Sequence, residues 1–256
     1  MKNLLIHISP EHNFNDGWGG ELERLVKIQI DSAKQFGWET MLVTNFPYEY
    51  NGVKATAVGD ENFCAYKPTV SKIYTIVTLF KMGLITEDMW FHDFDAFQLE
   101  PLDIELTKEV AMTDYGILSK NNSNNLRPST GTIFFKPTSQ DIFETWKAEN
   151  DKMLTNEEVT LLAMSHKSRF KWMFDRIEKV NITYNFATRR RNIELTYEIC
   201  EKPMKVIHFH PWDRRRMYFI HPESTNMDVC VEGKNWLGKP LINQQLLELF
   251  KKHHVN

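Results

Sequence analysis

The sequence predicts an α/β protein: a single domain with a Rossmann-like central sheet, mostly parallel and flanked by helices. Two observations carry this. Short apolar runs alternate with stretches of helical period, the pattern of strand–helix–strand units. One of those runs, Met89-Trp90-Phe91, gives way to Asp93 and Asp95 where a strand would end. At 256 residues the chain can bury one substantial core, and nothing in its length demands a second.

Taken in order, NLLIHIS at 3–9 reads as a strand buried on both faces and closed by Pro10. GWGG at 17–20 leads into a helix on which Leu22, Val26, Ile30 and Ala33 recur at spacings of three and four, with Gly37 as the stop. WETMLVT at 38–44 is the next strand. This unit implies a right-handed crossover and parallel pairing, and leaves the loops at the C-terminal strand ends to a ligand. A loop runs from about 45 to 66 and carries Asn-Gly and Pro. Pro68 suits the first turn of a helix whose buried face is Val70, Ile73, Val77 and Phe80.

The acid-bearing strand follows. KEVAMTDY at 108–115 and STGTIFFKP at 129–137 read as further strands, separated by the polar loop NNSNN at 121–125. QDIFETWKAEND at 140–151 and TNEEVTLLAMS at 155–165 read as helices. Thr155 and Glu158 form a capping box for the second. KVIHFHP at 205–211 is a late short strand, and LINQQLLELFKKHH at 241–254 an amphipathic C-terminal helix.

A net charge of −3 gives no field that would recruit nucleic acid or an anionic membrane. Cys64, Cys200 and Cys230 are odd in number, widely spaced and without metal-ligand pairing, which suits a reducing compartment. The apolar run in MKNLLIHISPEHN is too short for a signal-peptide core, and no stretch approaches the ~20 apolar residues of a membrane span. The expectation is a cytoplasmic protein.

The chemistry concentrates at the acid pair. If extended geometry continued through Asp93-Phe94-Asp95, both carboxylates would face one way. Two such charges side by side call for a cation, and carboxylate oxygens suit Mg²⁺ or Mn²⁺. The plainer alternative is a solvated turn. His208 and His210 alternate onto one face of their strand, where neutral imidazole can ligate a metal or simply bond a core carbonyl.

Phe91-His92-Asp93-Phe94-Asp95, Ser129-Thr130-Gly131, Glu157-Glu158 and His208-Phe209-His210, in that order, resemble the metal-dependent nucleotide-sugar glycosyltransferases of the GT-A fold. The resemblance runs from the first strand to about residue 212. It implies a GT-A-like domain with a nucleotide-sugar half at about 1–100, an acceptor and metal-completing half at about 101–220 and a C-terminal helical segment at about 221–256. It also implies a divalent ion, Mn²⁺ or Mg²⁺, bridging the donor phosphates. Asp95 would be the direct ligand, Asp93 a ligand to the metal or to the donor ribose, and His208, ahead of His210, the residue that completes the shell.

Thr130 and Gly131 would lie beside the donor sugar, Ser9 at the nucleoside and Lys72 at the donor. Lys72 falls off the apolar face of its helix, so a surface lysine is the simpler reading. Glu157 or Glu158 would be the base that takes the acceptor's proton in an inverting transfer. The implied donor is a UDP-sugar ahead of a GDP-sugar, and the acceptor a glycan or other hydroxyl compound. The arginine runs 189–191 and 214–216 offer bidentate contacts to a diphosphate. The sequence departs from the longer family pattern in placing Pro211-Trp212 after the histidines and Gly238-Lys239-Pro240 much later.

Three rivals compete. A sugar nucleotidyltransferase would carry a Gly-rich basic phosphate loop where SPEHNFNDGWGG is acidic and aromatic. A phosphatase with its nucleophile in the acid pair would carry that pair on the first strand. A non-catalytic carbohydrate-binding protein would keep the fold without turnover.

Overall fold

Leu4 and Leu5, neighbours in sequence, are both fully buried, and each belongs to a different core. Successive strand side chains point to opposite faces, so this strand must be covered on both sides. The computed structural model describes residues 1–14, 21–118, 127–187, 196 and 198–208. His210, Cys230, both arginine runs and the predicted C-terminal helix lie outside the described residues.

The chain runs through β1 (Lys2–His7), α1 (Glu21–Gln35), β2 (Thr40–Thr44), β3 (Glu49–Tyr50), β4 (Val53–Lys54), β5 (Thr56–Ala57), α2 (Ser71–Lys81) and β6 (Met89–His92). It continues through β7 (Ala96–Gln98), β8 (Val110–Asp114), β9 (Pro128–Phe135), α3 (Gln140–Met153), α4 (Glu157–Ser165), α5 (Lys171–Phe174), β10 (Ile177–Val180), β11 (Phe186–Ala187) and β12 (Val206–His208). Seven strands make the central sheet in the order β10-β8-β9-β6-β1-β2-β5. β1 pairs in parallel with β2 and β6, β2 with β5 and β10 with β8, while β9 runs antiparallel between β6 and β8. Leu25, Val26 and Ile30 of α1 pack in the core that holds Leu5. Ile73, Ile76 and Val77 of α2, Phe143 and Trp146 of α3, and Leu161 of α4 pack in the core that holds Leu4. Each buried Val, Leu or Ile contributes about 1.5–3 kcal/mol. The architecture is the predicted α/β class, with helices on a mostly parallel sheet.

Local signals read from the sequence are met in part. Gly37 takes φ 77 just past α1, where the Trp38 N–H returns to the Ala33 carbonyl at 2.8 Å, the left-handed stop expected of it. The stretch 45–66 is more than a loop. Asn51 and Gly52 have φ 48 and 80, the pair of positive values that a two-residue hairpin turn needs, and they join β3 to β4. The capping box is not formed. Asn156, not Thr155, caps α4 by accepting the Val159 N–H at 2.7 Å, and Glu158 is drawn elsewhere.

Two departures from regular sheet position the site. β9 keeps register with β6 from Phe135 to Thr132, but against β8 it slips: Ala111 faces Phe134 and Thr113 faces Ser129. The surplus residues, around Thr130 and Gly131, are re-aimed by this bulge. A second sheet, β11-β12-β7, then sets His208 opposite Ala96, immediately after the acid pair.

Arg176 ties α5 and β10 to the rest, donating through Nε to Glu109 at 2.7 Å and through Nη1 to Asp141 at 2.6 Å. Its hydrogen bonds hold both carboxyls below their ordinary range. Carboxylates depressed in the folded state contribute stability that is present above that range and lost as pH falls through it. The melting temperature of the wild type is therefore expected to fall faster than that of Arg176→Gln between about pH 5 and pH 3, with the two curves converging at the acid end. Parallel curves would show that the cluster does not couple to folding.

Candidate active site

β6 stops at His92, and the extended geometry does not continue through the acid pair. Asp93 to Ala96 form a turn instead, closed by the Ala96 N–H on the Asp93 carbonyl at 3.0 Å and anchored by the Asp93 N–H on the Gly131 carbonyl at 2.8 Å. Convergence of the two carboxylates comes from this turn rather than from strand alternation. His208 Nε2 lies 3.0 Å from Asp95 Oδ1 and 3.8 Å from Asp93 Oδ2. One ligand atom from each of the three residues falls within a common 4.8 Å.

The histidine is held from behind. Its Nδ1 faces Asn185 Oδ1 at 3.0 Å, so Nδ1–H donates there, and its Nε2 points at the aspartates, donating to Asp95 Oδ1 at 3.0 Å in the metal-free site. The ring also lies against Gly131, where a Cβ would come 2.1 Å from His208 Cε1. Among the described residues, the group that makes the close approach to this glycine is therefore an imidazole.

Lys72 overturns the surface reading. It is buried, with Nζ 3.3 Å from Asp93 Oδ1, 3.1 Å from the Thr130 carbonyl and 3.1 Å from Glu157 Oε1. Three acceptors match the three protons of an ammonium group. Burial alone would lower its pKa, but the carboxylates of Asp93 and Glu157 outweigh that and raise it, so the group stays charged. Glu157 is buried as well. Its Oε1 also accepts the Thr130 hydroxyl at 2.9 Å, and its Oε2 the Thr69 hydroxyl at 3.0 Å. Burial would raise its pKa, but Lys72 prevails and keeps the carboxyl low. Glu158, half-buried, accepts the Thr130 N–H at 2.9 Å. Ser9 joins a separate set of contacts past the end of β1: its N–H donates to Asn45 Oδ1 at 2.9 Å, and its carbonyl accepts from Asn45 Nδ2 at 2.7 Å.

The electrostatics of this cluster fit a divalent cation. Asp93 and Glu157 flank Lys72, and Asp95 lies beside His208, so carboxylates outnumber the ammonium in this cluster. Asp93 sits deep among protein atoms while keeping 35% of its side-chain surface open. Burial pushes its pKa up against the pull of Lys72 and His208. Nearby His92 is buried and stacked on Trp90, and burial pushes it down to about 4, so it adds no charge. Two carboxylate oxygens and an oriented imidazole are a donor set that Mn²⁺ accepts.

Of the residues singled out from sequence, Lys72, Asp93, Thr130, Gly131, Glu157, Glu158, Asp95 and His208 form one connected cluster. Sequence reasoning missed Asn185 and Thr69. A short polar side chain in irregular backbone offers no periodicity that would single it out.

No family model matches the chain, and no curated protein matches it in sequence. Solved structures do match in fold. The galactosyltransferase LgtC, in complex with donor and acceptor sugar analogs, superposes with a TM-score of 0.53 at 11% identity, over 84% of this chain and 90% of its own. A glycosyltransferase involved in glycosylation of the major capsid of PBCV-1 gives 0.54 at 11% identity, over 84% and 96%. The glycosyltransferase GlyE of Streptococcus pneumoniae TIGR4 gives 0.54 at 10%, over 83% of this chain and 55% of its own. The chain has the fold of these glycosyltransferases, the GT-A architecture that its motifs resemble.

Proposed function

We propose that the chain transfers a sugar from a nucleotide-diphosphate donor, a UDP-sugar ahead of a GDP-sugar, to the hydroxyl of a glycan or related acceptor. The observation that carries this reading is the convergence of Asp93, Asp95 and His208 just past β6, at the strand ends where α/β folds bind ligands. The three side chains would hold Mn²⁺ or Mg²⁺, which when bound supplies a Lewis acid for the charge that develops on a departing diphosphate. Thr130 and Gly131 would line the donor-sugar side and Ser9 the nucleoside side. Of the two glutamates we assign Glu158 as the base for an inverting transfer. Both Glu157 oxygens are taken up by Lys72, Thr130 and Thr69.

The buried free thiols of Cys64 and Cys200 support a reducing, cytoplasmic setting, and no described helix is long and apolar enough to cross a membrane. The test is thermal stability with a panel of nucleoside diphosphates and their sugars, each with and without Mn²⁺. A ligand at a hundred times its dissociation constant adds about 2.7 kcal/mol, several degrees in Tm for a chain of this size. The expected result is a shift with one base that needs the metal. No shift with any nucleotide, in protein shown to be folded, would refute a donor site.

A further inference from the structure

We infer that Asn185 is a positioning residue for this chemistry: it fixes the tautomer and rotation of His208 so that Nε2, and not Nδ1, is offered to a divalent cation. The inference rests on the metal-site reading above. Asn185 is fully buried and makes contacts in three directions. Its Oδ1 lies 3.0 Å from His208 Nδ1, its Nδ2 donates to Thr113 Oγ1 at 3.3 Å, and its carbonyl accepts the Tyr115 hydroxyl. With Nδ2 donating to Thr113 Oγ1, the amide oxygen faces the imidazole. An oxygen there accepts, so Nδ1 keeps its proton, and Nε2, whose proton rests on Asp95 Oδ1 at 3.0 Å, is the nitrogen that gives its proton up to take a cation.

The other faces of the ring are closed too. The ring packs onto Gly131, filling space where a Cβ would lie 2.2 Å from Nδ1, and Asp95 Oδ1 stands 3.0 Å from Nε2. A ring free to flip would present Nε2 or Nδ1 indifferently. An acceptor behind a metal-binding histidine removes that choice, and loss of such a partner costs about ten- to a hundredfold in metal affinity.

The test uses the whole chain with isotopically labelled histidine, loaded with ¹¹³Cd²⁺ as a diamagnetic probe, together with Mn²⁺ titrations. Coupling between ¹¹³Cd and the His208 Nε2, with a proton on Nδ1, is the expected result in the wild type. Asn185→Leu, of similar size but unable to accept, is expected to weaken Mn²⁺ binding about ten- to a hundredfold and to lose the Nδ1 proton signal. Asn185→Asp, which restores an acceptor oxygen, is expected to recover both even if its melting temperature stays low. A purely structural role would leave both variants equally impaired.

Coupling through Nδ1, or unchanged Mn²⁺ affinity in folded Asn185→Leu, overturns the inference and leaves the metal site standing. No coupling to His208 at all, with Cd²⁺ bound elsewhere or not at all, overturns the metal-site reading and the inference with it. Should Asn185→Leu fail to fold, the wild-type spectrum alone still decides which nitrogen binds.

Discussion

Asp95→Ala is expected to lower metal-dependent sugar transfer about a thousandfold or more, an effect equivalent to about 4 kcal/mol in the barrier. The size follows from what Asp95 does in the cluster. It stands 3.0 Å from His208 Nε2, the ring nitrogen that Asn185 leaves turned toward the aspartates. Asp93 cannot replace it, because one of its oxygens is engaged by the Lys72 ammonium and its other is 3.8 Å from the histidine. Without Asp95 the site loses the carboxylate that lies closest to the imidazole.

The metal-free fold should barely notice the change. The aspartate is in a turn, and removing one of two neighbouring carboxylates relieves repulsion while forfeiting the contact to His208. Initial rates across a Mn²⁺ titration, set beside melting curves recorded without metal, test both halves. Transfer within tenfold of wild type at saturating Mn²⁺ would remove Asp95 from the mechanism. A large drop in the metal-free melting temperature would show that the residue is structural after all.

Much of the layout behind that prediction was legible in the residues themselves. Strands buried on both faces announce themselves as unbroken apolar runs, and Met89 to Phe91 is buried at every position. Helices with a clear stripe, such as α1, were placed by Leu22, Val26, Ile30 and Ala33, and closed by a glycine that does adopt the left-handed conformation. Two kinds of information were not legible. The strands β7 and β11, two or three residues long, are too short to show a period, and the pairing of β12 with them, which brings His208 next to Asp95 across more than a hundred residues of chain, carries no local signal.

Burial of a charged side chain was also hidden, because it depends on partners rather than on pattern. Lys72 falls off the stripe of α2, and in isolation such a residue belongs in water. Three acceptors from three distant segments make its burial tolerable. The same holds for α4. Thr155 and Glu158 fit a capping box by spacing, but Asn156 is the better cap and Glu158 is claimed by a backbone N–H of the bulged strand β9.

The buried lysine sets up the second large effect. Lys72→Met should destabilise the protein by about 3–5 kcal/mol, although methionine fills much the same volume. What is lost is not chiefly a contact but the compensation of two carboxylates. Asp93 and Glu157 lie 3.3 and 3.1 Å from Nζ, and Glu157 has 6% of its side-chain surface exposed. Truncating one partner of such a pair leaves the other charge buried and unpaired, which costs more than the pair contributed.

Two consequences separate this account from ordinary loss of packing. Adding Glu157→Gln to Lys72→Met removes one stranded charge while keeping an oxygen that accepts from Thr69 and an amide N–H that donates to the Thr130 hydroxyl. The double variant should therefore be more stable than Lys72→Met alone, with a coupling free energy of at least about 1 kcal/mol. Mn²⁺ should also stabilise Lys72→Met, since a cation bound near Asp93 supplies part of the missing charge. Urea unfolding of the four proteins in the cycle, with and without Mn²⁺, measures both. A cost below about 1 kcal/mol for Lys72→Met, or additive single variants, would mean that the ammonium is not compensating the carboxylates. In that case Glu157 would be free to compete with Glu158 for the acceptor proton.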